Sequence, residues 1–390
     1  MDKHETKAKY NLAETCVASI SSQTLQELSE DASAQLWDPC QKLNYGSIRG
    51  TDQLRSNLAS LYSARTISTL SPDSILITPG AIAANMDVFL ALVRTGDHVI
   101  CTYPTYQQLY EAPASLGADV SLWCAQEDKG WQLDIEHLKG LIRPNTRLIT
   151  INNPNNPTGS ILSGPLLQNL VEVASSHDPP IAILSDEVYR PMFHDPSLTP
   201  VSPLFPPSIL SLNYELTIAT AYSMAGIRTG WIASRCPSLI SAFANARQYT
   251  TISISHHSDR IATFALSPNC IHRLLGRNLS IARTNIALLA RFIEQHKWAA
   301  EWTKPVAGTT AFVKFRRDGK LVNDVDFCER LMSEAGVLVA PGKECFGDGE
   351  KFKGYVRFGY CCETTVLEEG LEKMGEWMRG GFGQVAIEEA

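Results

Sequence analysis

The chain has 390 residues, of which 44% are hydrophobic and 19% are charged, and this composition is typical of a globular protein. Its length exceeds what a single hydrophobic core usually fills, so we expect two domains, or one large and one small. The net charge of -7 is mild and spread along the sequence. No basic tract could follow a phosphate backbone, which argues against nucleic acid as a partner.

The N-terminal segment up to Cys16 is polar, and no apolar run reaches the roughly 18 to 20 residues that a membrane span needs. We therefore expect no secretory signal, no membrane partner and a cytoplasmic location. The cysteines stand at irregular spacings without a C-x-x-C pair, so we expect mostly buried free thiols rather than disulfides or a zinc site. The histidines, including His194, His256 and His257, show no metal-ligand spacing, which predicts no metal site.

Apolar runs rich in β-branched residues alternate with helix-sized segments such as 81–94 and 164–176. This alternation is expected when helices cover both faces of a mostly parallel sheet. The predicted strands are SILIT (74–78), HVICT (98–102), ADVSLW (118–123), TRLITI (146–151), IAILS (181–185), LTIAT (216–220) and GWIAS (230–234).

After about residue 270 the sequence changes to long amphipathic helices and the strand-like segments GTTAFVKF, VLVAPG and YVRFGY, which predict a smaller α+β unit. The first 40 or so residues offer no sheet of their own and should pack onto that unit. The proline-rich stretch 191–209 predicts a long surface loop. The predicted fold class is therefore α/β, with a large domain over 45–270, built on a mostly parallel seven-stranded sheet, and a small domain formed by 1–44 and 271–390.

Polar residues follow two of these strands at their carboxyl ends, where open α/β sheets bind ligands. Asn156 lies in NNPNNPTGS, although a simple structural turn would also explain that segment. Asp186 ends a nearly all-apolar strand, and Tyr189 follows three residues later. A carboxylate in such a place is costly unless it meets a cation, and a protonated heterocyclic nitrogen would serve.

A second group of residues suits a phosphate. Gly80, Ala81 and Ile82 join a strand to a helix of small residues, so backbone N–H groups at the helix start are open to an anion. Arg228 stands in GIRTGW between two glycines and could clamp a phosphate, or it could be an ordinary solvated arginine. Tyr106 in CTYPTY offers a flat ring that could cover an aromatic cofactor, although core packing is an equal alternative.

Together, NNPTG, SDEVY and GIRTGW, in this order and spacing, resemble the class I/II aminotransferases, which are fold-type-I pyridoxal-phosphate enzymes. The resemblance covers roughly residues 40–365. It implies pyridoxal 5'-phosphate as the cofactor, α-amino acid and keto acid substrates, and a homodimer with the cofactor between the domains and at the dimer interface. A lyase or cyclase of the same fold shares every motif, and a non-catalytic cofactor- or amino-acid-binding protein also stays open.

The resemblance implies a role for each of these residues. Asn156 and Tyr189 look like partners of the pyridine 3'-oxygen, and Asp186 looks like the partner of the pyridinium nitrogen. The remaining implied roles are ring stacking by Tyr106, a phosphate cradle of Gly80, Ala81, Ile82 and Arg228, a contact from Tyr45 to the phosphate of the neighbouring subunit, and a substrate carboxylate site at Arg357 with Asn156.

One residue that the resemblance requires is missing. The family has a Schiff-base lysine eight residues before the arginine of GIRTGW, but this position is Thr220, and no lysine lies between Lys139 and Lys297. Threonine can neither form a Schiff base nor act as a base at neutral pH. Either Thr220 replaces the lysine, or a short turn that carries it is absent, and we favour absence because ELTIAT leaves no residues for the turn. The catalytic positions are then Asp186, Tyr189 and Thr220, and we expect impaired activity.

Overall fold

The computed structural model describes residues 5–38, 40–42, 44–64, 68–202 and 204–388. Their β-strands are, in chain order, β1 (Tyr10–Asn11), β2 (Ile75–Thr78), β3 (His98–Tyr103), β4 (Asp119–Cys124), β5 (Thr146–Asn152), β6 (Ala182–Asp186), β7 (Thr217–Ser223), β8 (Thr229–Ser234), β9 (Ala300–Trp302), β10 (Thr310–Arg317), β11 (Lys320–Leu321), β12 (Val337–Leu338), β13 (Ala340–Pro341) and β14 (Tyr355–Gly359).

Capping side chains fix the starts of some of the helices. The Thr51 and Ser163 side chains accept hydrogen bonds from backbone N–H groups three residues later, which fixes two of these starts. Within the described ranges, no helix has the length and apolar composition that crossing a bilayer requires. The helices are α1 (Ser22–Glu27), α2 (Asp52–Ser63), α3 (Ala81–Leu92), α4 (Gln108–Ser115), α5 (Ile135–Leu141), α6 (Gly164–Ser176), α7 (Pro237–Arg247), α8 (His256–Ala265), α9 (Pro268–Gln295), α10 (Asp324–Ala335), α11 (Gly342–Phe346) and α12 (Thr364–Gly380).

The larger sheet has seven strands in the order β2-β8-β7-β6-β5-β3-β4. The strands from β7 to β4 in this order pair in parallel, whereas β8 is antiparallel to both of its neighbours. Successive residues of β6 enter different cores, since Ile183 packs with α6 residues and Leu184 packs with α3 residues. Helices therefore cover both faces, and the predicted mostly parallel seven-stranded α/β architecture is confirmed.

A smaller antiparallel sheet follows in the chain, with the order β11-β10-β14-β13, and β9 pairs with residues 313–315 of β10. Helices α9, α10 and α12 pack on it around a separate core. The N-terminal segment was expected to have no sheet of its own, and its strand β1 pairs in parallel with β12, where Tyr10 faces Val337. Tyr10 and Leu12 are buried in the core of the small unit.

The connection between β7 and β8 differs from the sequence prediction. The predicted strand ends at Thr220, whereas β7 continues to Ser223 and pairs with β8 as far as Thr229. The prediction of the strand end was wrong because β8 offers backbone partners to the three added residues. A short turn then closes the hairpin, and its residues Met224 and Arg228 have positive φ values of 46° and 54°, a region that side chains disfavour.

Candidate functional site

The candidate site lies at the carboxyl edge of the parallel strands. Asn152 at the end of β5 pairs with Asp186 at the end of β6, and Asp186 pairs with Thr220 on β7. All three residues are buried. Parallel pairing therefore places a carboxyl, an amide and a hydroxyl side by side along the sheet edge.

Asp186 is only 4% exposed, and protein donors hold both of its oxygens. The backbone N–H of Val188 donates to Oδ1 over 3.1 Å, and Asn85 Nδ2 donates to Oδ2 over 3.1 Å. Burial raises the pKa of Asp186 to about 6, and these two hydrogen bonds oppose the rise. The carboxyl thus titrates close to neutrality, where an adjacent cation would keep it ionised.

The sequence analysis did not identify two residues that lie near Asp186. Asn85 on α3 bonds Asp186 and accepts a hydrogen bond from Thr220 Oγ1 over 2.6 Å. Gln108 on α4 accepts from Asn85 and donates to the backbone oxygen of Ile82. A signal for Asn85 was available, because it is a polar residue within the otherwise apolar stretch AIAANM.

The start of α3 and the turn after β7 form an anion cradle. Gly80 has φ 92°, and no side chain caps the helix that it precedes. A Cβ on Gly80 would lie 2.9 Å from Arg228 Nη2, and one on Gly230 would lie 2.5 Å from the backbone nitrogen of Ala81. Glycine at both positions therefore lets the Arg228 guanidinium and the uncapped helix start approach each other, an arrangement that suits a phosphate.

Arg357 lies on β14 of the small sheet and is 8% exposed. Its Nη1 donates to Asn156 Oδ1 over 3.4 Å, and its Nη2 donates to the backbone oxygen of Ala13 over 2.7 Å. Its Nε is buried without a partner among the described residues. Arg357 thus has one unsatisfied N–H group beside Asn156, which suits a ligand carboxylate.

The three candidate tyrosines differ in their surroundings. Tyr189 is buried, and both burial and the charge of Asp186 raise its pKa, whereas Arg357 lowers it. Tyr106 is 39% exposed, and burial and the charge of Asp186 raise its pKa as well. Tyr45 is 81% exposed, and its backbone oxygen bonds the ring of His256. The charge of Asp186 thus affects the pKa values of Tyr106 and Tyr189, whereas the Tyr45 side chain is exposed on the surface.

A cavity of about 550 Å³ adjoins the site behind Tyr189. Its lining is mostly apolar and comes from the N-terminal segment, α2, α9 and the β7–β8 turn. Glu187 and Arg190, which are 3.6 Å apart, form its charged part. Thr15 and Tyr189 line this cavity, but Asp186 does not. The cavity is therefore a compartment next to the anion cradle and not the cradle itself.

The arrangement suits a ligand with a basic ring nitrogen at one end and a phosphate at the other. Asp186 is a buried carboxyl that has no cationic partner among the described residues, and Arg228 lies over the uncapped start of α3. These features fit pyridoxal 5'-phosphate. They do not include an amine, since the lysine position is Thr220 and its hydroxyl bonds Asn85.

Comparisons with known proteins agree with this fit. The family model of aminotransferase class I and II matches residues 22–374. Capreomycidine synthase of Streptomyces vinaceus is 29% identical over 315 residues, which are 78% of this chain and 76% of that protein. Aspartate aminotransferase of Thermotoga maritima is 26% identical over 348 residues, with coverages of 86% and 84%.

A solved structure extends the match to nearly the whole chain. The PLP-dependent aminotransferase from Streptococcus suis 89-1591 superposes with a TM-score of 0.84 at 37% identity, covering 97% of this chain and 95% of that one. The chain belongs to the aminotransferase class I and II family of pyridoxal-phosphate-dependent transferases.

Proposed function

We propose that this chain binds pyridoxal 5'-phosphate without a covalent link and receives an α-amino acid beside it. The observation that carries the proposal is the buried Asp186 carboxyl in one site with the Arg228 guanidinium over the start of α3. Charge-assisted hydrogen bonds of this kind contribute roughly 1.5 to 3 kcal/mol each, so binding survives the loss of one covalent link.

The proposed roles follow from the chemistry of each group. When bound, the cofactor supplies an electron-withdrawing ring that stabilises negative charge at the substrate α-carbon. Asp186 holds the proton on the ring nitrogen, and Arg228 and the α3 backbone orient the phosphate. Asn156 and Tyr189 bond the 3'-oxygen, and Tyr106 covers the ring face. Together these groups fix the ring against the substrate.

Arg357 is the proposed anchor of the substrate carboxylate. Its planar fork matches a carboxylate. Its Nε has no partner in the described part of the chain, which supports the assignment because a buried N–H group without a partner is costly. Asn156 is within hydrogen-bond distance of Arg357 and helps to orient the same end of the substrate.

We further propose that transamination by this chain is impaired. Transamination requires a base that moves a proton between the substrate α-carbon and the cofactor, and the Thr220 hydroxyl is bonded to Asn85 instead. Loss of a positioned general base typically costs roughly 10² to 10⁴-fold in rate. The chain should therefore bind cofactor and amino acid but turn them over slowly.

The assembly that we propose is a homodimer in which Tyr45 reaches the phosphate of the neighbouring subunit. The 81% exposure of Tyr45 supports this, since an exposed tyrosine is free to enter another subunit's site. Separate cores under the two sheets support domain limits of 45–270 for the large domain and of 1–44 with 271–390 for the small one. The cytoplasmic location stays a prediction.

A second candidate is a lyase or cyclase reaction on the same scaffold. The similarity to capreomycidine synthase favours it, because that name describes a synthase rather than a transaminase. The residues proposed above would serve either reaction, since both need a stabilised negative charge at the α-carbon. Product analysis by mass spectrometry with amino acid alone and with an added keto acid acceptor separates the two candidates.

The test of cofactor binding uses the full chain soaked in excess pyridoxal phosphate and then desalted. We expect retained cofactor absorbance, weakened in an Arg228→Ala variant and unaffected by Arg316→Ala, because Arg316 lies on the small sheet and bonds Glu301. Borohydride treatment and mass spectrometry should give no pyridoxyl peptide from 215–230. Complete loss of absorbance from the unsubstituted chain would refute the proposal.

A further inference from the structure

Side-chain hydrogen bonds link the lysine position to Asp186 through a residue of another helix. Thr220 Oγ1 on β7 donates to Asn85 Oδ1 over 2.6 Å, and Asn85 Nδ2 on α3 donates to Asp186 Oδ2 over 3.1 Å. All three side chains are buried, and Asn85 is only 1% exposed. Hydrogen bonds in such a dry environment are strong, and leaving any of these groups unpaired is costly.

The surroundings of Asn85 determine which way its amide points. Its Nδ2 faces two acceptors, Asp186 Oδ2 and Gln108 Oε1, the latter at 3.3 Å. A reversed amide would set its oxygen against both of them. The Thr220 hydroxyl is then the donor, because Asn85 Oδ1 only accepts. Thr220 therefore stabilises the one amide orientation in which Asn85 donates to Asp186.

Asp186 depends on this donor because few other groups hold it. The backbone N–H of Val188 bonds Oδ1, and Asn85 bonds Oδ2, so the two donors together fix the plane of the carboxylate. Each oxygen keeps a lone pair for a ligand. Burial and the charge of Glu187 disfavour the ionised form, and the two donors favour it.

We propose that Asn85 is a positioning residue for the cofactor and that Thr220 acts through it. Asn85 keeps Asp186 ionised and oriented toward a protonated ring nitrogen, and Thr220 keeps the Asn85 amide from rotating. The position where a lysine is expected has thereby become part of the support of Asp186. The proposal rests on the proposed function only for the identity of the ligand.

The first test is a pH titration of the Asp186 carboxyl in the full chain, without added cofactor. The titration is followed by carbon NMR of protein labelled at its aspartate carboxyl carbons. The Asp186 signal is assigned as the one that is missing from the spectrum of the Asp186→Asn variant. Asn85→Leu removes one donor to the ionised form, so we expect the pKa of Asp186 to rise by about one unit. Thr220→Val should raise it by less, and Thr220→Ser should restore it.

Thr217→Val is the matched control. Thr217 is also buried on β7, but its hydroxyl bonds the backbone oxygen of Tyr214 and does not touch Asn85. The Thr217→Val variant should leave the pKa of Asp186 unchanged. It removes a hydroxyl from the same strand, but this hydroxyl is not hydrogen-bonded to Thr220, Asn85 or Asp186. Equal shifts in Thr217→Val and Thr220→Val would overturn the proposal, as would an unshifted titration in Asn85→Leu.

The second test is the dissociation constant of pyridoxal phosphate, measured by quenching of protein fluorescence. We expect Asn85→Leu to weaken binding about tenfold, the equivalent of one pKa unit. Thr220→Val, which nearly preserves shape, gives a readout should Asn85→Leu fail to fold. Affinities equal to that of the parent in both variants would overturn the proposal. If the parent chain itself binds no cofactor, the proposed function fails, and the titration still decides the role of Asn85.

Discussion

At the scale of single residues, Asp186 should give the unliganded chain a measurable dependence of stability on pH. Its pKa is raised from 3.8 to about 6 in the folded protein, so the folded state holds a proton that the unfolded state releases. The stability that Asp186 contributes is therefore fully present below pH 3.8 and lost as the pH rises toward 6.

The Asp186→Asn variant removes this dependence. Between pH 4 and pH 7 we expect its free energy of unfolding to improve by roughly 1 to 3 kcal/mol relative to the parent. Urea denaturation at the two pH values measures the change. Using the difference between the two proteins cancels the contributions of Asp87 and Asp324, whose pKa values are also raised to about 6. If the difference in unfolding free energy between the two proteins stayed constant with pH, it would contradict a raised pKa of the buried Asp186 carboxyl.

At the scale of secondary-structure elements, the turn between β7 and β8 is short and strained. Met224 and Arg228 have positive φ values, and such side-chain-bearing residues cost of order 1 to 3 kcal/mol each. The turn residues Met224, Ala225, Gly226 and Ile227 also line the cavity behind Tyr189. A longer connection would have room to enter that cavity.

Inserting Gly-Ser-Ala-Ser-Lys between Thr220 and Ala221 interrupts the pairing of the last three residues of β7 with β8, but it places a lysine eight residues before Arg228 and should restore chemistry. We expect single-turnover rates with pyridoxamine phosphate and keto acid to rise by about 10² to 10⁴-fold, because a positioned base returns. Borohydride treatment should now give a pyridoxyl-lysine peptide from the insert. The same insert ending in alanine is the control and should stay slow. Equal rates with and without the lysine insert would show that our account of Thr220 is wrong.

At the scale of the whole molecule, the proposed contact of Tyr45 with the neighbouring subunit means that each site contains residues from both subunits. Mixing Tyr45→Ala and Asp186→Ala dimers, then allowing subunit exchange, creates hybrids in which one site carries both defects and the other carries none. We expect about a quarter of all sites to regain cofactor binding, since half of the dimers are hybrid. Bound cofactor per chain measures this. No recovery in exchanged dimers, or a stable monomer that binds cofactor fully, would contradict the shared site.

The sequence by itself determined the strands of the large sheet and the end of the strand that carries Asp186. Strand and helix periodicity is local, so the seven strands of the large sheet and the helix at 164–176 were predictable from short segments. Asp186 was identifiable because an acidic residue at the end of an apolar strand is costly without a partner. The missing lysine was likewise visible in the sequence, because Thr220 stands eight residues before Arg228, where the family has its lysine.

Only the tertiary structure decided which side chains meet. Arg357 reaches the backbone of Ala13 across 344 residues, and Thr220 reaches Asn85 across 135, and no local pattern encodes such pairs. The extension of β7 to Ser223 depended on hydrogen bonds that β8 supplies. Periodicity reports which face of an element is buried, whereas contacts between distant residues arise only when the sheet and its helices pack together.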